Sequence, residues 1–181
     1  MNFIAEARWR SKELNSTENC QLIRQQNQWL LRGDVTIVES SKSVQWVYQI
    51  VCSNSWHTQE VRLQQSTMFP ITFSRTNDGK WYKNRVYLPY LDGAHDIDLG
   101  FTPATNTLPI RRQQPKINDT MVCHAAWLRE NDCSILPVEQ YYTRLGDNLY
   151  EYHNPTSGFR TQLEVDKHGL VKDYGDIWFS E

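Results

Sequence analysis

Phe159-Arg160-Thr161-Gln162-Leu163-Glu164-Val165-Asp166 alternates strictly. Phe159, Thr161, Leu163 and Val165 fall on one side of an extended chain, and Arg160, Gln162, Glu164 and Asp166 fall on the other. Successive side chains of a strand point to opposite faces, so this period of two marks a β-strand with one buried and one wet face. Val44, Trp46, Tyr48, Ile50 and Cys52 repeat the pattern, with Gln45 and Gln49 among the intervening residues. Segments 29–38, 61–65 and 149–152 read as further strands. Turn signals separate them: Asn77-Asp78-Gly79-Lys80 before Trp81, Gly146-Asp147-Asn148 before Leu149, and Asn154-Pro155-Thr156-Ser157-Gly158 and Asp166-Lys167-His168-Gly169 around the Phe159 strand. Asp-Gly between apolar runs is a strong hairpin signal. The chain is therefore mainly β, and its last third is a meander of hairpins.

One stretch breaks the rhythm. Residues 99–115 read Leu-Gly-Phe-Thr-Pro-Ala-Thr-Asn-Thr-Leu-Pro-Ile-Arg-Arg-Gln-Gln-Pro. Thr102 before Pro103 is a helix start, a hydroxyl cap followed by proline at the first position. Thr107, with Pro109 in the first turn, is an alternative start. Pro115 ends either version, because the residue before a proline is pushed out of the helical region. The expectation is a single helix buried on one side by Leu108 and Ile110.

Composition narrows the classes. The chain has 181 residues, 19 Lys+Arg against 21 Asp+Glu, and a net charge of −2. That balance excludes the basic face of a nucleic-acid binder and a polybasic membrane-surface protein. A folded chain of this mass buries about 70% of its unfolded surface, enough for a core without disulfides. No Pro/Gly/Ser-rich linker or internal repeat divides it, so residues 1–181 read as one domain. Cys20, Cys52, Cys123 and Cys133 form no CxxC pair, and residues 1–10 carry Glu6, Arg8 and Arg10 with no apolar signal region. The expectation is a cytoplasmic protein with reduced, buried thiols and no transmembrane segment. Seven Trp and nine Tyr suit a β core. They also suit a lined cavity, because both rings pair an apolar body with a polar handle.

The densest polar cluster is Asp92-Gly93-Ala94-His95-Asp96-Ile97-Asp98. In a strand Asp96 and Asp98 share a face, which permits an acid–base or metal role, and His95 points away from both. No zinc, calcium or HExxH spacing completes a ligand set. The structural alternative pairs both aspartates with Arg111 and Arg112, whose planar forks fit carboxylates. Cys123 and His124 are adjacent, which in a strand sends them to opposite faces. No GxSxG elbow, P-loop or GxGxxG is present. These patterns name no catalytic residue, metal or cofactor, and they favour binding over catalysis.

The run from Asp96 to Arg112, with Asp96-Ile97-Asp98-Leu99, Thr102-Pro103 and Thr105-Asn106-Thr107-Leu108-Pro109-Ile110-Arg111-Arg112, resembles the signature of the putative glycolipid-binding family of bacterial proteins. Weaker likeness covers Trp9, Tyr48, Trp56, Gly79-Lys80-Trp81, Gln140-Tyr141-Tyr142 and the segment from Asp166 to Tyr174. Two departures are Gly93-Ala94-His95, where relatives carry Gly-Cys, and Gln113, where they carry an apolar residue. The resemblance implies a spiral β-roll, an antiparallel many-stranded sheet wrapped around one α-helix. It further implies a homodimer and a likeness to periplasmic carriers of lipoproteins and lipids.

The function expected is non-catalytic binding of a glycolipid or other amphipathic small molecule inside the roll. Asn106, Thr105, Thr107, Arg111 and Arg112 face its polar head, and aromatic residues including Trp46 and Tyr48 hold its apolar part. Asp96, Asp98, Thr102, Pro103, Leu108, Pro109 and Ile110 build the motif's frame. Two alternatives stand beside this: a structural or interaction homodimer with a filled core, and an enzyme built on Asp96, Asp98 and His95.

Overall fold

The structure, a computed structural model, describes residues 1–12, 15–39, 42–130 and 132–181. The first half is a run of strands: β1 (Asn2–Ser11), β2 (Thr17–Gln25), β3 (Gln28–Glu39), β4 (Lys42–Cys52), β5 (Thr58–Gln65), β6 (Ile71–Arg75), β7 (Trp81–Lys83) and β8 (Val86–Tyr87). A 3-10 turn, Pro89–Leu91, leads to β9 (Asp96–Leu99). Another, Pro103–Asn106, then runs directly into α1 (Thr107–Gln113). The second half comprises β10 (Thr120–Leu128), β11 (Ile135–Arg144), β12 (Leu149–Asn154), β13 (Phe159–Val165), β14 (Val171–Tyr174) and β15 (Trp178–Ser180).

Among the described residues these strands form one 15-stranded sheet, ordered β8-β7-β6-β5-β4-β3-β2-β1-β15-β14-β13-β12-β11-β10-β9. Each half is a hairpin meander, and the halves join where the two chain ends pair: Trp9 lies opposite Ser180, and Ser11 opposite Trp178. The indole of Trp9 fastens this seam, donating to the Val171 carbonyl at 2.6 Å. Every neighbouring pair is antiparallel except β9 with β10, so the sheet is mixed, a departure from the purely antiparallel expectation. Parallel neighbours need a crossover of a dozen or more residues. Here the crossover is the segment that holds the helix.

The sheet rolls because its far regions meet. Thr58 on β5 donates its N–H to the His95 carbonyl at 3.2 Å, and its hydroxyl accepts from Ile97 N–H at 3.1 Å. Since β9 is the sheet edge and β5 is not, β6–β8 overlap the closure, and the wrap is a spiral around α1. Trp81 and Arg75 from the overlapping strands both donate to the Ala94 carbonyl, at 3.1 and 2.8 Å.

The interior is filled by the period-two positions. Trp46, Tyr48, Ile50 and Cys52 are all buried, as are Leu163 and Val165. The hairpin at 76–80 forms with Gly79 at φ +89°, a left-handed conformation that glycine adopts without steric cost. All four cysteines are free and buried. No helix among the described residues is long and apolar enough to cross a membrane.

Candidate functional site

Both sequence signals for a helix start are used. Thr102 is extended and its hydroxyl accepts from Ala104 N–H at 3.0 Å, opening the 3-10 turn with Pro103 at its first position. The α-helix proper begins at Thr107, so Pro109 falls among the first N–H positions, where a missing donor costs nothing. Gln114 closes it in the left-handed conformation, its N–H donating to the Ile110 carbonyl. Pro103, Leu108, Pro109 and Ile110 are buried inside the roll.

The motif's polar groups are tied to the sheet one by one. Asp96, 1% exposed, takes both arms of Arg112, at 3.2 and 2.6 Å. The Cys123 thiol lies 3.2 Å from the same carboxylate, and burial pushes that thiol's pKa up. Asp98 has neutral partners only: Thr105 donates at 3.2 Å and Gln140 at 2.5 Å. Burial raises the Asp98 pKa, and these two donors offset part of the rise. Asn106 donates to the Pro103 carbonyl at 3.0 Å and accepts from Tyr142 at 2.9 Å. Thr107 donates to the Gly169 carbonyl at 2.9 Å, fixing α1 to the β13–β14 turn.

Arg111 is used differently from Arg112. Its guanidinium lies over the Trp56 ring at 5.5 Å, Trp56 stacks on Trp29 at 4.6 Å, and Arg24 covers Trp29 at 4.4 Å. This stack of two cations and two indoles closes the α1 end of the roll. Among the described residues neither arginine pairs with a carboxylate. At the other end Trp46 stacks on Phe101 at 4.6 Å. Tyr48 donates to Glu18 at 2.6 Å, and Thr102 donates to the same oxygen at 2.7 Å. Burial pushes the Glu18 pKa up to about 8, against the pull of those two hydroxyls. Trp46 and Tyr48 thus seat the helix start within the core.

Beside the start of the helix segment lies a cleft of about 190 Å³. Asp98, Thr102 and Asn106 bring the motif to its wall; Trp127, Tyr152, Phe159, Tyr174 and Trp178 supply aromatic faces. Tyr152, Phe159 and Tyr174 brace one another, with centroids 5.9 to 6.2 Å apart at steep angles. A larger, more open hollow of about 400 Å³ lies between residues 92–94 and the β10–β11 surface. No Trp, Tyr or Phe lines it and no residue of the Asp96–Arg112 motif reaches it. Among the described residues the buried Nδ1 of His95 has no hydrogen-bond partner, so it bonds neither aspartate; burial and the nearby Arg112 lower its pKa. Among the described residues no three His, Cys, Asp or Glu side chains converge on a metal-sized site.

Sequence reasoning placed Asp98, Thr102 and Asn106 among residues of interest but missed Glu18, Gln140, Tyr152, Phe159, Tyr174 and Trp178 as members of one neighbourhood. Glu18 had a usable signal: with Cys20 and Leu22 it occupies the inward phase of β2. The cleft rings had a partial one, since a hairpin meander sets β12, β13, β14 and β15 side by side and puts Tyr174 opposite Trp178; their meeting with Thr102 and Asn106 depends on how the sheet rolls.

A mixed sheet rolled around one short helix, with an aromatic cleft at the helix start, places the chain among β-roll proteins. The family model described as "Putative glycolipid-binding" matches residues 6–179, and the chain belongs to that family. A crystal structure of a DUF1089 family protein from Pseudomonas aeruginosa is similar to it, with 28% identity, 88% of each chain covered and a TM-score of 0.75. No curated protein matches the sequence.

Proposed function

We propose that the protein, acting as one unit over residues 1–181, is a non-catalytic binder of an amphipathic, glycolipid-like molecule whose polar ring occupies the cleft beside the helix start. The observation that carries this reading is the meeting of motif side chains Asp98, Thr102 and Asn106 with five aromatic residues around one hollow. A sugar ring offers C–H faces that lie on aromatic surfaces and hydroxyls that need fixed polar partners, and pockets that combine both recognise such rings. The volume suits one ring. A dry cavity of about 150 Å³ admits benzene, whereas pockets for drug-sized ligands begin near 300 Å³. An acyl chain would therefore lie outside, gaining about 0.8 kcal/mol for each methylene it buries against the rim. In this reading Asn106 touches the ligand, while Thr105, Thr107, Arg111, Arg112, Trp46 and Tyr48 hold the wall in place. The homodimer and the cytoplasmic setting with reduced thiols belong to the same proposal. The family's description supports the ligand class.

Titration with octyl glucoside below its aggregation threshold tests this, read through the fluorescence of the cleft tryptophans. A saturable change is expected, and Phe159→Ala, which removes one half-buried ring, should weaken binding about tenfold, equivalent to about 1.4 kcal/mol. A linear, non-saturating response would remove the binding reading. The second reading, an interaction dimer with a filled core, is favoured by one specific observation. The interior faces of β2–β5 are packed solid by Trp46, Tyr48, Ile50 and their neighbours, and most motif residues already have internal partners.

A further inference from the structure

We infer that the cleft takes a head group bearing a positively charged nitrogen, a protonated amine or a quaternary ammonium, seated between the Asp98 carboxyl and the aromatic faces. The inference rests on the binding reading above and narrows its ligand.

Charge bookkeeping within the motif carries the argument. Two aspartates stand two residues apart, and among the described residues the one cation hydrogen-bonded to either is Arg112. Both of its hydrogen-bonding arms go to Asp96. Asp98 is left with an amide and a hydroxyl as donors, and the cleft it lines contains no Lys, Arg or His. The neighbouring ionisable groups, Tyr142, Tyr152, Tyr174 and Cys123, are all held neutral by burial. Asp98 therefore borders the hollow with no cationic partner among the described residues. A cation seated there favours the ionised form of Asp98 against the burial that raises its pKa, and their attraction is screened less than in bulk water.

The remaining walls act in the same sense. Aromatic faces carry the negative lobe of the ring quadrupole and attract cations, including quaternary ammonium groups. Tyr152, Phe159, Tyr174, Trp127 and Trp178 present five such rings around the hollow. A phosphate or uronate head would meet a carboxyl and electron-rich rings with no cation to receive it. The same cleft should thus discriminate by charge: cationic above neutral, and neutral above anionic.

The test is a calorimetric series on the whole protein at pH 7 with four octyl-chain probes: the 2-amino-2-deoxyglucoside, the glucoside, the glucuronide and octyltrimethylammonium. The aminoglycoside should bind at least about tenfold more tightly than the glucoside, and the glucuronide should be weakest. Octyltrimethylammonium matching the aminoglycoside would assign the site to ammonium groups at large; its weaker binding would assign it to amino sugars. Asp98→Asn should shrink the amine preference, the ratio of aminoglycoside to glucoside affinity, to less than about twofold. Equal binding of all three glycosides, or preference for the glucuronide, would overturn the inference while leaving the binding reading intact. If none of the probes binds, both fall. Should Asp98→Asn fold poorly, the ranking of the probes on the unmodified protein decides alone.

Discussion

At Glu18 the fold holds a carboxyl group out of water with two hydroxyl donors and no cation. In the unfolded chain it loses its proton near 4.5; in the folded protein burial moves that step to about 8. Between those values the unfolded state has released the proton and the folded state keeps it. The contribution of Glu18 to stability is therefore fully present below pH 4.5, declines as pH rises, and is gone above about 8. The total is on the order of 5 kcal/mol. Glu18→Gln keeps the acceptor for Tyr48 and Thr102 and cannot ionise, so its melting temperature should exceed that of the unmodified protein at pH 9 and lose the advantage at pH 4. Melting curves of both proteins across this range check the sign. Arg112 presents the opposite case, a cation whose two hydrogen-bonding arms hold a buried acidic partner. Arg112→Ala strands the Asp96 carboxylate and should cost about 3–5 kcal/mol. Asp96→Asn in the same chain should recover part of that loss, which a chemical-denaturation double-mutant cycle would measure.

At the scale of elements, the strands and the helix were legible because their signals are local. Residues 159–165 alternate cleanly and 149–152 read as a strand, and the observed β13 and β12 coincide with or extend them. The helix was ambiguous between Thr102 and Thr107 because both are real starts, one of the 3-10 turn and one of α1. What could not be read is which elements face one another. The stack Arg24–Trp29–Trp56–Arg111 draws on β2, β3, the β4–β5 turn and α1, and no spacing along the chain announces it. The parallel pairing of β9 with β10 was hidden for the same reason, since the hairpin signals stop at residue 80 and resume at residue 146. A close approach between strands supplies the prediction at this scale. Gly33 lies opposite Tyr48 in the β3–β4 ladder, and a Cβ there would come within 2.5 Å of the tyrosine ring. Gly33→Ala must displace that ring from Glu18, and overpacking of this kind costs about 1–3 kcal/mol. The same variant should shift the high-pH stability loss, because the Tyr48 donor is disturbed. A melting series at pH 7 and pH 9 distinguishes this from a simple loss of strand propensity.

For the whole molecule, the decisive contact joins the two chain ends. β1 and β15 lie at the centre of the sheet order, so the two meanders hold together through a short ladder, the Trp9 indole and the contacts inside the roll. Removing residues 177–181 deletes β15, exposes the long edge of β1 and should abolish cooperative unfolding, which circular dichroism on heating would show. The cleft sits on this seam, since Ile177 and Trp178 line it. Its five rings all belong to the second half, and its polar wall, Asp98, Thr102 and Asn106, belongs to β9 and the helix segment, so the cleft forms where that meander meets the crossover. That is why composition could suggest a lined cavity but could not locate one. The central claim is that this wall receives an amphiphile, and it is tested most directly by native mass spectrometry of protein purified from its own host, followed by organic extraction. The account predicts a stoichiometric adduct on each chain that is released as an amine-bearing amphiphile and lost in Phe159→Ala. A clean ligand-free species that takes up no octyl glycoside or ammonium probe on titration would contradict it.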